Sequence, residues 1–276
     1  MAKMTLEGYL RRLNEESNKR LGLYEKTLRK TYTALLNDMQ NAIAGVYAKI
    51  DDNDMINSLL KYHRKENIEE TLANFINELS KVKYKGMYNQ LREQLLFSYD
   101  YYYTALTTLS DKDFKLTPLK KEWIKNVIEN EKVGLTLKEM MQRDRQDLIY
   151  KVKTNLIQGI NRGESLSKMT KRMQETVNKN YRNAVNLART ETHRVREEGT
   201  YQSALQGEKA GIKQVKTWNS SNDSRTRPDH RRLDGKTMPI DEYFRVGHAK
   251  GLTPGNTGDS EQDRYCRCFL TYEIID

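Results

Sequence analysis

The sequence predicts a mainly α-helical protein, in which an elongated multi-helix body is followed by a small α+β C-terminal domain. Three observations lead to this prediction. Up to about residue 199, apolar side chains recur at steps of three and four, the spacing of one face of a helix. After Gly199, glycine and proline become frequent, and the last residues alternate with the period of a strand. The charged fraction of 31%, against an apolar fraction of 37%, favours exposed helices over a compact enzyme core.

The first half of the chain reads as three helical segments. Apolar stripes cover residues 6–50, 59–79 and 84–109, and the acidic run 51–54 interrupts the pattern. The last stripe contains a tyrosine cluster at 99–103. Interleaved tyrosines can stack on nucleic-acid bases, but a tyrosine stripe at helical spacing is more often core, and we interpret this one as core.

Capping signals mark the following helices. Thr117-Pro118 predicts a helix that continues to Ile128, and the capping box that begins at Thr136 predicts another that stops at 161–163. A further helix begins near Ser165 and runs into Ala188-Arg189-Thr190-Glu191. Beyond it, residues 212–218 form a candidate short strand. A final strand is predicted from the shared face of Cys266, Cys268, Leu270, Tyr272 and Ile274.

These patterns divide the chain into a helical N-terminal region at 1–150, a helical lead-in at 151–199 and an α+β domain at 200–276. The net charge of +10 is uneven: residues 1–199 hold 36 Lys+Arg against 27 Asp+Glu, and the remainder 12 against 11. A basic helical portion predicts an acidic partner, with double-stranded DNA, bound independently of sequence, the first candidate and an anionic membrane the second. The chain contains no apolar run long enough to span a membrane. Two cysteines separated by one residue form no disulfide framework, which indicates folding in a reducing compartment.

The polar residues with the greatest chemical potential crowd between Trp218 and Gly235. This segment holds Asp223, Arg225, His230 and Asp234, and we expect them to hold the C-terminal domain together rather than to catalyse. On spacing alone, a solvated charged loop is the slightly favoured alternative. Two further candidates, Arg189 and Glu191, lie two residues apart on a helix and cannot pair with each other. Glu191 therefore has a distant partner or pairs at the surface with Arg194, one turn on.

A metal centre is the main chemical hypothesis. Cys266 and Cys268 share one strand face, and together with His230 they can bind a zinc ion whose fourth ligand is Asp223 or water. The alternative is that both cysteines are ordinary core residues. Asp229-His230 also resembles the catalytic histidine region of His-Asn-His nucleases, so a metal-dependent nuclease centred on His230 is the competing functional class.

The order of these elements resembles a known family. A helix that runs into 188–191 is followed by Trp218, by the motif 223–227, by His230 and Leu233-Asp234-Gly235, and finally by Cys266-Arg267-Cys268. The series is similar to the head-morphogenesis domain of tailed-phage minor head proteins, the Mu F-like family, over residues 151–273. Many relatives carry Cys-x-x-Cys where this chain has 227–230, so a four-cysteine centre is impossible here and only a mixed one remains.

The resemblance implies a structural role without catalytic residues. It implies a low-copy protein inside the phage head near the portal vertex, made in the host cytoplasm, that aids head assembly and DNA packaging or delivery. The implied partners are the portal protein, capsid or scaffold proteins, and DNA. A third class, a free DNA-binding protein of the host cytoplasm, stays open from the sequence.

Overall fold

The computed structural model describes residues 4–48, 64–110, 112, 114–131 and 134–275. Its helical part consists of α1 (Leu6–Tyr47), α2 (Arg64–Leu109), α3 (Lys121–Ile128), α4 (Leu137–Asn161) and α5 (Leu166–Lys209). The C-terminal part contains two short helices, α6 (Pro228–Arg231) and α7 (Ser260–Asp263). Its strands are β1 (Gln214–Asn219), β2 (Thr237–Pro239), β3 (Phe244–Val246), β4 (Ala249–Gly251) and β5 (Phe269–Ile274). The predicted class, mainly α with a small α+β region at the C-terminus, is confirmed.

The second and third predicted helices are one helix, α2, as far as the described residues extend. No glycine or proline separates the two apolar stripes, and the chain continues as a helix from one to the other. The acidic interruption at 51–54 and the start of the second stripe lie outside the described residues. None of the helices in the described ranges is long and apolar enough to cross a membrane.

Helix α5 extends ten residues beyond Gly199, where the sequence suggested that turns begin. Gly199 serves close packing: a Cβ there would lie 2.5 Å from the carbonyl oxygen of Leu95 and 2.4 Å from the hydroxyl of Ser98. Since a glycine lacks Cβ, α5 can approach the backbone of α2 at this point. The glycine therefore marks a helix–helix contact and not a helix end.

The starts and ends of the shorter helices follow local signals in part. Helix α4 begins directly after Thr136 and ends before Gly163, whose φ of 58° is the left-handed conformation that terminates helices. Helix α3 starts at Lys121 instead of near Thr117, because the carbonyl of Thr117 accepts a 2.7 Å hydrogen bond from the Tyr99 hydroxyl and the chain is still extended there.

The chain forms two compact units, and neither is continuous in sequence. The first unit comprises Met1–Leu23, Tyr88–Thr136 and Asn186–Asp276, and the second comprises Tyr24–Met87 and Leu137–Val185. The second unit has a core built from the apolar faces of its helical segments. The central members of that core are fully buried: Met39, Ile43, Leu72, Ile76, Val152, Leu156, Met169, Met173 and Val177.

The first unit contains the sheets. Strand β1 is central in a three-stranded antiparallel sheet of order β2-β1-β5, with Trp218 opposite Leu270, while β3 and β4 form a separate hairpin. The buried face of β5 packs on α2 and α5, and the hydroxyl of Tyr102 donates a 2.7 Å hydrogen bond to the Gln214 side chain. Tyr99 and Tyr102 of the tyrosine cluster are therefore core residues, as expected.

Candidate metal centre

Three potential metal ligands converge from two segments of the first unit. His230 lies on α6, a single turn of helix that Pro228 opens at its first position, where a missing N–H has no consequence. Cys266 and Cys268 lie on the segment that leads into β5, and the period of two turns both side chains inward. The donor atoms of these three residues lie within 4.8 Å of one another.

The distances fit a tetrahedral zinc ion. The Nδ1 atom of His230 is 3.3 Å from the sulfur of Cys268 and 3.6 Å from that of Cys266. Zn–S bonds of about 2.3 Å and Zn–N bonds of about 2.0 Å place the nitrogen and sulfur ligands of a tetrahedron about 3.5 Å apart. The three side chains therefore occupy one face of the coordination polyhedron that zinc prefers.

A chain of hydrogen bonds orients the imidazole. Nε2 of His230 is 3.0 Å from the side-chain oxygen of Gln262, whose amide nitrogen in turn lies 3.4 Å from the carboxylate of Asp229. Because the amide oxygen can only accept, this network assigns the proton to Nε2 and leaves the lone pair of Nδ1 facing the two sulfur atoms. Such an outer partner is what a metal-binding histidine requires to fix its tautomer.

The centre is closed to solvent. His230, Cys266 and Cys268 are 2%, 5% and 3% exposed. The ring of Trp218 stands edge-on to the imidazole at 5.7 Å, and Phe244 packs on the other side of Trp218. A hydrogen bond from the Cys266 thiol lowers the pKa of Cys268, and the neighbouring imidazole of His230 lowers it further. The same hydrogen bond, together with burial, raises the pKa of Cys266.

Asp223, the predicted alternative fourth ligand, lies elsewhere. Its carboxylate is bound by the guanidinium of Arg267 through two hydrogen bonds of 2.6 Å, and its side chain is 36% exposed. Within the described residues, the group of candidate ligands contains only His230 and the two cysteines. Asp223 is therefore held by its salt bridge and does not belong to the group of candidate ligands. Of the two predicted fourth ligands, Asp223 and water, water is the one compatible with this geometry.

The predicted structural residues around this centre have distinct roles. The carboxylate of Asp234 accepts hydrogen bonds from the amide of Ser220 and from the side chain of Asn222, and so closes the loop after β1. Gly235 has a φ of 74°, and its N–H donates to the carbonyl of Trp218. Arg225 is exposed and lies 3.6 Å from the carboxylate of Asp223.

The two predicted residues on α5 differ in burial. Arg189 is exposed, whereas Glu191 is buried and binds the Nε atom of Arg194 at 2.9 Å. The pairing with Arg194 is one of the two predicted alternatives, but the pair is internal and not at the surface. Arg194 also donates to the carbonyl of Val127 and faces the Asn256 side chain, so it connects α5 with α3 and with the loop that contains Asn256.

A second buried ion pair, which the sequence did not reveal, anchors β5. Arg196 binds the carboxylate of Glu197 at 2.8 Å, and the same carboxylate accepts the backbone N–H of Leu270 at 3.0 Å. The guanidinium also contacts Nδ1 of His193, whose pKa is lowered by burial and by this positive charge. The sequence did not reveal this pair, because two adjacent charged residues on a helix give no indication that they are buried. Gln262 was missed as well, because it occurs in no recognisable motif.

Two comparisons with known proteins identify relatives of this chain. The chain is 29% identical over 264 residues to the minor head protein GP7 of Bacillus phage SPP1, an alignment that covers 91% of this chain and 82% of that protein. Residues 150–271 match the family described as Phage Mu protein F like protein. Over residues 150–271 the chain is thus similar to the Mu F-like family, and over most of its length it is similar to a phage minor head protein.

A second relative carries the name of an enzyme. The chain is 26% identical over 225 residues to the NAD(+)--arginine ADP-ribosyltransferase EFV of Enterococcus faecalis (strain ATCC 700802 / V583). That alignment covers 81% of this chain but 42% of the enzyme, so the chain spans less than half of that relative. No solved structure matches the chain.

Proposed function

We propose that this protein is a non-catalytic component of the phage head that associates with the portal vertex, aids head assembly and contacts DNA during packaging or delivery. The similarity to a minor head protein along most of both chains supports the head role. Portal, capsid or scaffold proteins are the partners that this role requires. Copurification of tagged protein with the portal protein from infected cells tests the association, and its absence under gentle lysis would contradict it.

The observation that carries the non-catalytic assignment is the burial of His230. A general base must reach the proton that it removes. His230 is 2% exposed, and both of its ring nitrogens are engaged, by Gln262 and by Cys268. This geometry disfavours the nuclease alternative. Incubation of supercoiled DNA with the protein and divalent metal should produce no nicked product above that of a Cys268→Ser variant.

We assign the centre to one zinc ion, with Cys266, Cys268 and His230 as ligands and water in the fourth position. Thiolate and imidazole donors are the set that zinc prefers, and a closed site contributes its binding free energy to folding. Protein purified without chelator should contain about one zinc per chain, and a strong chelator should lower its Tm. A zinc content near zero, with a Tm indifferent to chelator, would show that the cysteines are core residues.

The DNA contact is supported by the distribution of charge. The second unit contains 21 Lys+Arg against 14 Asp+Glu, a net +7 of the total +10. Basic side chains spread along helices follow a phosphate backbone without reading bases, so binding should be independent of sequence. Titration of unrelated duplexes at several salt concentrations tests this, and absence of binding at low salt would assign the charge to an acidic protein partner.

A further inference from the structure

Five arginines lie on the segments that form or flank the metal centre. They come from the loop after β1, from α6 and from the segment leading into β5. We refer to them as the arginine surface: Arg225, Arg227, Arg231, Arg264 and Arg267. Arg267 stands between the two cysteines and points outward where they point inward, so the metal centre is the support on which this surface is built.

Direct contacts join three of the arginines around Asp223. Arg267 binds its carboxylate at 2.6 Å, and Arg225 approaches the same group at 3.6 Å. Arg231 donates instead to backbone carbonyls, at 3.1 Å to that of Asp223 and at 3.4 Å to that of Thr226. Two guanidiniums therefore contact the carboxylate of Asp223, and a third contacts its backbone.

The other two arginines contact neutral groups. Arg227 donates to the carbonyl of Gln262 at 3.4 Å and to that of Arg264 at 2.5 Å. The guanidinium of Arg264 lies 4.9 Å from the centre of the Tyr265 ring and donates to its hydroxyl. These contacts fix the positions of both guanidiniums through neutral partners.

The neighbouring carboxylates are directed to backbone amides. Asp234 accepts from the amide of Ser220, and Asp263 accepts from the amides of Thr257 and Gly258. Such hydrogen bonds hold the loops in place. Within the described residues, the ion pairs found for the five arginines are those of Arg225 and Arg267 with the carboxylate of Asp223.

The backbone on both sides of the surface is held in an unusual conformation. Asn222 has a φ of 47° and Tyr265 a φ of 59°, values that residues other than glycine rarely adopt. For Tyr265 this conformation accompanies an aromatic side chain that is 47% exposed. Strain of this kind persists where the surrounding structure enforces it, and it occurs disproportionately at binding sites.

We propose that the arginine surface binds the phosphate backbone of duplex DNA, an inference that rests on the proposed DNA contact and adds a second binding surface to the basic helices. Guanidinium groups match phosphate oxygens in pairs, and all five cations here are arginine. Apart from the ring of Tyr265, the side chains that form the surface are polar and positive. That composition is typical of a DNA contact, whereas a protein interface has an apolar centre.

The test removes the positive charges of two arginines whose guanidiniums do not hold a loop in place. Arg225 is 78% exposed, and neither Arg225 nor Arg264 uses its guanidinium to hold a backbone carbonyl. The variant is Arg225→Gln/Arg264→Gln in the full-length protein. The matched control is Arg232→Gln/Arg245→Gln, which removes the same charge from two exposed arginines outside the surface, one of them already paired with Asp229. Retained zinc content and circular dichroism confirm that each variant is folded.

The measurement is the affinity for two unrelated duplexes between 50 and 200 mM salt. Each lost phosphate contact makes the slope of log K against log salt shallower by about 0.9. The test variant should therefore lose about two units of slope on both duplexes, and the control should lose less than half of that. If the double variant fails to fold, the single change Arg225→Gln should lose about one unit.

The possible failures are distinguishable. Wild-type binding with equal slopes in the variant and the control would overturn the arginine surface and leave DNA binding to the helices. No wild-type binding at 50 mM salt would overturn both the DNA contact and this inference. Binding of polyglutamate, but not DNA, that disappears in the test variant would reassign the surface to an acidic protein partner.

Discussion

The substitution Glu191→Ala should destabilise the first unit strongly. Glu191 and Arg194 form an ion pair of 2.9 Å with side-chain exposures of 1% and 3%. Removal of the carboxylate leaves a buried guanidinium that contacts two neutral acceptors, the carbonyl of Val127 and the side chain of Asn256. Deletion of one partner from a buried pair costs about 3–5 kcal/mol, because the other charge stays desolvated. That loss is a large part of the roughly 5–15 kcal/mol that stabilises a typical domain.

The assay is denaturant unfolding followed by circular dichroism, with Glu78→Ala as the control. Glu78 pairs with Lys81 at the same helical spacing and at 2.6 Å, but the two side chains are 69% and 73% exposed. An exposed pair contributes about 0–1 kcal/mol. The double change Glu191→Gln/Arg194→Met should recover part of the loss, since it removes both buried charges. A Glu191→Ala variant within about 1 kcal/mol of wild type would refute the reasoning.

Three further predictions concern the metal centre and the sheet. Cys268→Ser should abolish zinc retention and lower the Tm. Asp223→Ala should keep the zinc and lower the Tm only slightly, because its partner Arg267 is 40% exposed. Equal zinc loss in both variants would restore Asp223 as a ligand. In a separate experiment, the pH dependence of stability tests whether Lys216 is buried on β1. Burial lowers the pKa of Lys216 from 10.5 to about 8. Between these values the unfolded chain binds more protons than the folded one, so stability rises with pH. Wild type should therefore gain stability relative to Lys216→Met over that interval, by at most about 1.4 kcal/mol per pH unit, and a constant difference across this range would contradict the assignment.

The sequence predicted the parts of the fold that local patterns determine. The alternation through Cys266, Cys268, Leu270 and Tyr272 defined the buried face of β5, because a strand with one buried face has a strict period of two. The capping box at Thr136 located the start of α4 for a similar local reason. The extent of α5 could not be predicted, since the role of Gly199 depends on a distant segment of α2.

The candidate site could also be predicted only in part from the sequence. The two cysteines and His230 could be grouped by chemistry, because few residues in the chain can bind a soft metal. Gln262 and Arg267 were missed: an amide that orients a histidine, and an arginine that pairs with Asp223 across 44 residues, leave no pattern in the sequence. The burial of Glu191 was missed for the same reason, because its environment is formed by α3 and by the loop that contains Asn256.

The central claim, that this protein is a structural component of the phage head with a place at the portal vertex, is tested most directly by quantitative mass spectrometry of purified virions. The account predicts peptides of this protein in DNA-filled particles, at a copy number comparable to that of the portal protein and far below that of the major capsid protein. Particles that are complete and infectious but contain no peptide of this protein would contradict it.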